Sequence, residues 1–305
     1  MNLPIFSDEK ELAWLIHIGA SKIQEFSRFP HRYYLKYTIP KSGGGVREIR
    51  QPSKELKGVQ AWILRNILDK LTPSPYATAY NKGTSITINV FPHSGNRFFI
   101  CIDLEDFFPS ISIRRVIKIF SLIGYSDKAS AILAALCTCE WNLPQGAITS
   151  PSLSNLVATK LDRRIAGYTS IRNIVYTRYA DDITLSSNNP AILCKALPRI
   201  IKIIKSEHFK LNMDKLRVLG PRMRCSITGL VKNSSESKFG IGRNKKREIR
   251  AIMHNLLFTS KKDKKYASRE SIEGWLSYLK SVDKESFKKM DQYWNKLIQK
   301  STPRK

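Results

Sequence analysis

The chain has 305 residues, 42% of them hydrophobic, and carries 52 Lys and Arg against 25 Asp and Glu, a formal net charge of +27. The apolar content supports a sizeable core in one large domain or two to three subdomains and excludes a disordered chain. The charge exceeds the roughly 2–8 units that solubility asks of a small domain, and it points to a polyanionic partner, nucleic acid first.

Residues 1–40 mix short helical patterns with aromatics, among them Phe29, Tyr33 and Tyr34, and read as accessory helices without a chemical signature. Asp8, Glu9 and Glu11 precede the short apolar stretch 12–18, which is not the pattern of a secretory leader, and no segment reaches the length of a membrane span. Residues 41–52 place Gly43, Gly44 and Gly45 between extended segments, and residues 56–71 repeat apolar side chains at helical spacing. A hairpin followed by a helix is expected there. Residues 98–103 form a short run rich in aromatic and β-branched side chains that stops at Asp103, Leu104, Glu105 and Asp106, before helical spacing resumes near Ile113. That is a buried strand ending in acid. Two helices, over 128–139 and 151–165, flank a polar loop at 143–151 whose Pro144 and Pro151 suit a loop and a helix start.

Residues 174–179 and 183–187 are strand-like runs joined through Ala180, Asp181 and Asp182, compatible with a tight hairpin. A helix over about 191–207, with strand-like pieces near 216–219 and 226–231, completes an α+β unit in which helices back an antiparallel sheet. Residues 235–305 differ in character, with 19 Lys and Arg against 8 Asp and Glu. Their apolar residues, Ile249, Ile252, Met253, Leu256 and Leu257, then Ile272, Trp275, Leu276 and Leu279, recur at amphipathic helical spacing. They read as a small, basic helical subdomain, with the lysine-rich cluster at 261–265 the nearest thing to a linker. The five cysteines form no Cys-x-x-Cys pair and no zinc-finger spacing, so they are expected to be reduced, mostly buried thiols of a cytoplasmic chain.

In a chain this basic, carboxylates at the ends of apolar strands are the anomaly, because burying one unpaired costs on the order of several kcal/mol. If the strand ending at Asp103 and the hairpin carrying Asp181 and Asp182 are neighbours in one sheet, the three acids converge. A divalent cation is then the natural compensating charge, and hard carboxylate oxygens suit Mg²⁺. Nucleotidyl transfer uses two such ions, about 3.5–4 Å apart, to activate the attacking hydroxyl and neutralise the leaving pyrophosphate. An isolated Asp-Asp turn is more often a solvated hairpin tip, so the surrounding motifs decide.

Tyr179-Ala180-Asp181-Asp182 matches the Tyr-x-Asp-Asp box of reverse transcriptases. Asp103-Leu104-Glu105-Asp106-Phe107-Phe108-Pro109-Ser110 resembles that family's first catalytic box and residues 143–151 its template and nucleotide-binding box, all in the family's order. The resemblance implies an RNA-directed DNA polymerase with a right-hand fold, fingers and palm over 41–234 and a basic helical thumb over 235–305. It implies that Asp103 and Asp181 bridge two Mg²⁺ ions, with Mn²⁺ a substitute, that the Leu104 carbonyl completes the nucleotide-side ion, and that Asp182 participates more weakly. Phe108 lies where DNA-synthesising members place an aromatic gate against a ribose 2′-OH. Gln145 and Gly146 look like the pair that meets the incoming dNTP, and Lys215 resembles the lysine that assists pyrophosphate departure. Arg47 and Arg50 resemble the fingers residues that clamp the triphosphate, Arg47 being preferred and Arg50 equally suited to a backbone phosphate.

Asn89-Val90-Phe91-Pro92-His93 resembles the Asn-Ala-x-x-His box of retron reverse transcriptases, with Val90 in place of alanine. Ile227-Thr228-Gly229 resembles their Val-Thr-Gly box, with Ile227 in place of valine. This narrower resemblance implies a cognate structured noncoding RNA, recognised through a stem-loop by the thumb and copied from the 2′-OH of a guanosine. The product is a branched RNA–DNA hybrid, multicopy single-stranded DNA, that serves anti-phage defence alongside a separate effector protein. Trp275, Tyr278 and Trp294 read as core rather than as base-stacking platforms. Two rivals stand beside this reading: a group II intron-like reverse transcriptase, and a catalytically idle RNA-binding scaffold, which has no need of costly converging acids.

Overall fold

A computed structural model describes residues 2–41, 44–232, 238–258 and 268–301. The chain opens with α1 (Glu9–Ile16), capped by the Asp8 carboxylate on the backbone N–H groups of Lys10 and Glu11, and α2 (Ala20–Arg28). β1 (Tyr34–Pro40) then pairs antiparallel with β2 (Val46–Pro52), and α3 (Lys54–Asn66) follows under a Ser53 cap. The expected hairpin and helix are therefore present, and the hairpin already begins at Tyr34, ahead of residue 41. After α4 (Ile86–Val90) and a 3₁₀ turn over Phe91–His93 come β3 (Phe98–Glu105), α5 (Ile113–Leu122) and α6 (Asp127–Cys137). The helix expected over 151–165 is two helices, α7 (Ser150–Val157) and α8 (Thr159–Ser170). Ala158, with ψ near 0°, turns the chain between them, and neither proline nor glycine marks the break.

β4 (Val175–Tyr179) and β5 (Asp182–Ser187) form the predicted hairpin, and α9 (Pro190–Ser206) starts on an Asn189 cap with proline at its first position. β6 (Lys210–Leu211) and β7 (Arg217–Leu219) return to the sheet, both against β3. The piece expected at 226–231 is itself a hairpin, β8 (Ser226–Ile227) and β9 (Leu230–Lys232), reversing at Thr228 and Gly229, both at positive φ. β10 (Phe239–Gly240) joins β9, and α10 (Gly242–Phe258), α11 (Arg269–Val282) and α12 (Lys284–Ser301) form the basic helical unit. The boundary expected between 234 and 235 and the cluster at 261–265 lie outside the described residues. All five cysteines are free thiols, Cys194 exposed and the others buried. Among the described residues no helix is long and apolar enough to cross a membrane.

The central antiparallel sheet runs in the order β4-β5-β3-β6, with β7 also on β3. Strand alternation gives it two different faces. Ile100, Ile102 and Leu104 of β3 and Ile183 and Leu185 of β5 pack into the main core with α3 and α5–α9. On the other face, Phe99 and Cys101 join a second core with Val90, Ile227 and Leu230 and with Ile249, Met253, Ile272, Leu279, Met290 and Trp294 of the C-terminal helices. One end of that face therefore mounts the helical unit, while the end at Asp103 stays open. Trp294 is buried as expected, whereas Trp275 and Tyr278 are only half-buried.

Asn89 and His93 staple this second face to the hairpin. The Asn89 carbonyl accepts from Thr177 Oγ1 at 3.3 Å, and its side-chain oxygen accepts from the Thr78 hydroxyl at 3.0 Å. His93 is fully buried, with Nε2 2.8 Å from Thr177 Oγ1 on β4 and Nδ1 2.6 Å from Ser186 Oγ on β5. Burial pushes its imidazole down to about 3, so the native ring is neutral. The unfolded ring takes up a proton near its ordinary 6.5, so stability is retained above that pH and is lost as pH falls from about 6.5 toward about 3. At pH 5 this linkage amounts to about 2 kcal/mol. Urea unfolding of wild type is therefore expected to lose about 2 kcal/mol more between pH 7 and pH 5 than that of His93→Asn. Identical pH dependence of the two proteins contradicts a neutral buried imidazole.

Candidate active site

Tyr179 and Asp182 face each other across β4 and β5, which leaves Ala180 and Asp181 as a two-residue turn. Ala180 takes φ +57°, a position where a tight hairpin turn ordinarily uses glycine. β3 lies on the other side of β5 with Asp103 directly opposite Asp182, and Leu104 N–H donates to the Asp181 carbonyl at 3.0 Å. Sheet pairing thus brings Asp103, Asp181 and Asp182 together at the open end. The Leu104 side chain is buried in the main core, which leaves its backbone beside the three acids. Asp106 is exposed and its carbonyl closes the following turn by accepting from Ser110 N–H at 2.8 Å.

The trio is short of positive charge. Desolvation in the cleft, with the Asp181 and Asp103 carboxylates, pushes Asp182 up to about 6 even though the residue is open to solvent. Asp181 is raised by burial and by Asp103, and Lys215 and Arg47 offset part of that. Lys215 Nζ donates to both oxygens of Asp103, at 3.1 and 3.0 Å, and this carboxylate in turn raises the lysine. Among the described residues no three acidic or imidazole side chains already form a closed metal cage. Three mutually repelling carboxylates with one exposed lysine nonetheless fit divalent cations in donor type and in charge.

Under the turn lies a contact that the motifs do not announce. Arg178, on β4, is wholly buried and meets the equally buried Asp162 of α8 in a bidentate pair, Nε to Oδ1 at 2.7 Å and Nη2 to Oδ2 at 2.8 Å. Its Nη1 donates to the Ala180 carbonyl at 3.0 Å and to Asn155 Oδ1 at 3.2 Å, and Tyr176 Oη donates to Asp162 at 2.6 Å. The sequence signal was an arginine inside a strand and an aspartate between Leu161 and Ile165 on a helix's apolar side.

Of the nucleotide-binding candidates, Phe108 is half-buried, its ring centroid 5.6 Å from that of buried Phe107 and 6.2 Å from that of Tyr80. Arg47 is exposed, near enough to Asp181 to lower its carboxyl. Arg50 is engaged by Glu48 at 2.8 Å and Glu140 at 2.6 Å, with Cys139 Sγ at 3.6 Å. The Gln145 carbonyl accepts from Arg50 N–H at 2.9 Å, and Gly146 sits at φ +133°. A Cβ there would lie 2.7 Å from the Arg50 carbonyl oxygen, so the close approach this glycine permits is to β2. Ile227, Thr228 and Gly229 do not join the acids; Ile227 belongs to the second core, and Asn89 and His93 bond to Thr177 and Ser186 on the same face of the sheet.

A family model described as reverse transcriptase (RNA-dependent DNA polymerase) matches residues 39–251. Telomerase from Candida albicans, solved in complex with a fragment of telomeric RNA, superposes with a TM-score of 0.52 at 12% identity, over 92% of this chain and 60% of that one. At that identity the likeness speaks for the fold alone, the right-hand polymerase fold. With the acids at the tip of its palm sheet, the chain is a reverse transcriptase, an RNA-directed DNA polymerase. The retron Ec86 reverse transcriptase of Escherichia coli is 40% identical over 98% of this chain and 92% of its own length. The retron Mx65 enzyme of Myxococcus xanthus is 30% identical over 94% and 71%. The chain belongs to the retron reverse transcriptases.

Removing one partner of a buried ion pair costs about 3–5 kcal/mol, whereas replacing both by apolar residues is often neutral. Arg178→Met should therefore lose about 3–5 kcal/mol in urea unfolding, and Arg178→Met with Asp162→Leu should recover most of it. Primer extension by the double variant should stay at least about tenfold below wild type, because the Ala180 carbonyl has lost its donor and the turn its geometry. Full activity in the stable double variant would remove the turn-holding role.

Proposed function

We propose that this polymerase binds a cognate structured noncoding RNA and reverse transcribes part of it, starting from the 2′-OH of a guanosine, to make branched multicopy single-stranded DNA. The reading is carried by the end-to-end match to a retron reverse transcriptase, which includes the basic helical unit at residues 242–301. That unit supplies Lys and Arg on helices, and structured RNA is read largely by shape and backbone contacts. The domain reading that goes with it takes 41–234 as fingers and palm, extended at the start by the strand Tyr34–Pro40 that pairs with β2, leaves the residues before it as accessory, and takes 235–305 as an RNA-binding thumb. The product serves anti-phage defence in the cytoplasm with a separate effector protein.

Asp103 and Asp181 would hold two Mg²⁺ ions in this reading, or Mn²⁺ as a substitute, with the Leu104 carbonyl and, less directly, Asp182 as further oxygen donors. Ions held there would supply activation of the primer hydroxyl and neutralisation of charge on the leaving pyrophosphate. Phe108 presents carbon to C2′ of the incoming dNTP and so refuses a ribose hydroxyl. Arg47 pairs with the triphosphate through its guanidinium fork, while Arg50 holds the base of the fingers hairpin. Gln145 and Gly146 shape the floor beneath the nucleotide, and Lys215 Nζ hands a proton to the departing pyrophosphate.

Primer extension on an RNA template with dNTPs should require added Mg²⁺ and should fall to background in Asp181→Ala, with folding intact by circular dichroism. DNA synthesis undiminished in Asp181→Ala would sink the assignment of the acids. For the narrower claim, nucleic acid recovered with the purified protein should contain single-stranded DNA that shortens on treatment with debranching enzyme. DNA insensitive to that enzyme would leave a reverse transcriptase of another kind, a group II intron-like one included.

A further inference from the structure

Tyr80 has no part in the reading above, and its conformation calls for one. Its backbone takes φ +64°, a left-handed conformation that a bulky side chain seldom adopts. Strain of this kind persists where the surroundings over-determine it, and here they do. Thr78 N–H donates to the Arg178 carbonyl at 2.8 Å, Asn155 Nδ2 donates to the Ala79 carbonyl at 2.8 Å, and Asn81 Nδ2 donates to the Ala77 carbonyl at 2.6 Å. The same Asn155 amide accepts from Arg178. The segment is thus fixed to the framework that holds the Ala180–Asp181 turn.

Core packing does not account for the strain, because Tyr80 remains 49% exposed. Its ring instead lies against Phe108, centroids 6.2 Å apart at an interplanar angle of 47°. Phe108 leans in turn on Phe107, whose ring stacks toward buried Phe209 at 5.6 Å. Phe108 therefore has an aromatic neighbour whose backbone is held in place.

We propose that Tyr80 is a positioning residue for sugar selection: its ring backs Phe108, the side chain that meets C2′ of the incoming nucleotide. A ribose 2′-OH pressed against a Phe108 ring that cannot recede loses water without gaining a partner. The inference rests on the proposed role of Phe108 as the gate and adds what keeps that gate from swinging aside.

Single-nucleotide incorporation on an RNA template, with a dNTP and the matching rNTP, tests it in the full-length protein. Tyr80→Gly and Tyr80→Asn both tolerate the positive φ, so loss of the fold is not built into either. Each should raise the ratio of rNTP to dNTP kcat/KM by about tenfold, mainly through a lower KM for the rNTP, whereas Tyr80→Phe should stay within about twofold of wild type. A ratio unchanged in both ring-removing variants, with Phe108→Ala raising it, overturns the role of Tyr80 and spares the gate. A rise in Tyr80→Phe equal to that in Tyr80→Gly also overturns it, since the hydroxyl and not the ring would then be the determinant. An unchanged ratio in Phe108→Ala removes the gate itself and this inference with it.

Discussion

The buried pair of Arg178 and Asp162 is the constraint on which the acid-bearing end of the sheet depends. Its energetic worth as an ion pair is modest, since the desolvation of two charges offsets much of their attraction. Its structural consequence is larger. Ala180 at positive φ costs about 1–2 kcal/mol relative to an ordinary backbone, and Arg178 Nη1 holds that residue by its carbonyl while Leu104 N–H holds the next one. The turn carrying Asp181 is thereby gripped from the helix layer below and from β3 beside it. The guanidinium also bonds Asn155, and Asn155 bonds the carbonyl of Ala79, so the segment carrying Tyr80 and the turn share one support. An apolar pair of equal volume would fill the space and would leave the Ala180 carbonyl without its donor.

The two faces of the central sheet divide the remaining work. The face toward α8 and α9 is a conventional apolar core, and it sets the height at which the acids emerge. Among the described residues the opposite face is covered at the Phe99 end, where Val90, Ile227 and the C-terminal helices meet it. Covering and opening are linked by His93, which spans β4 and β5 just where the buried part of the face begins. A neutral imidazole suits this place because it can donate on one side and accept on the other, as two hydroxyl partners require. The two boxes at 89–93 and 227–229 are thus joint structural elements of the mount, and neither belongs to a strand of the sheet that carries the acids.

How much of this was legible in the sequence follows from whether the deciding interaction is local. Asp103 at the end of an apolar strand, and Asp181 and Asp182 between two strand-like runs, announce themselves within a few residues, and sheet pairing then does the rest. The glycine-bearing hairpin before α3 is of the same kind. Arg178 could not be read so, because a cation on a doubly buried strand is explained only by a partner on α8, and nothing in either segment names the other. The break at Ala158 carries no proline or glycine, and the strain at Tyr80 is imposed by Thr78, Asn81 and Asn155 through backbone contacts that leave no trace in composition. Tertiary contacts override local preference at these places, which are also the places nearest the chemistry.

The fingers hairpin shows how far such tertiary information redistributes roles among residues of one type. Arg47 and Arg50 are three residues apart on one strand, and their chemistry is identical. Arg50 lies where β2 passes the palm loop: its N–H reaches the Gln145 carbonyl, its carbonyl crowds Gly146, and its guanidinium is shared between Glu48 and Glu140. Spending that guanidinium on a triphosphate would break two ion pairs at the junction of two layers. Arg47 stands farther along the strand, where both strands of the hairpin are exposed, and it carries no such obligation to the junction. A clamp must be free to exchange solvent for phosphate while its base stays fixed, and among the described residues Arg50 is tied to the junction while Arg47 is exposed beyond it, which is the division that favours Arg47 as the proposed clamp.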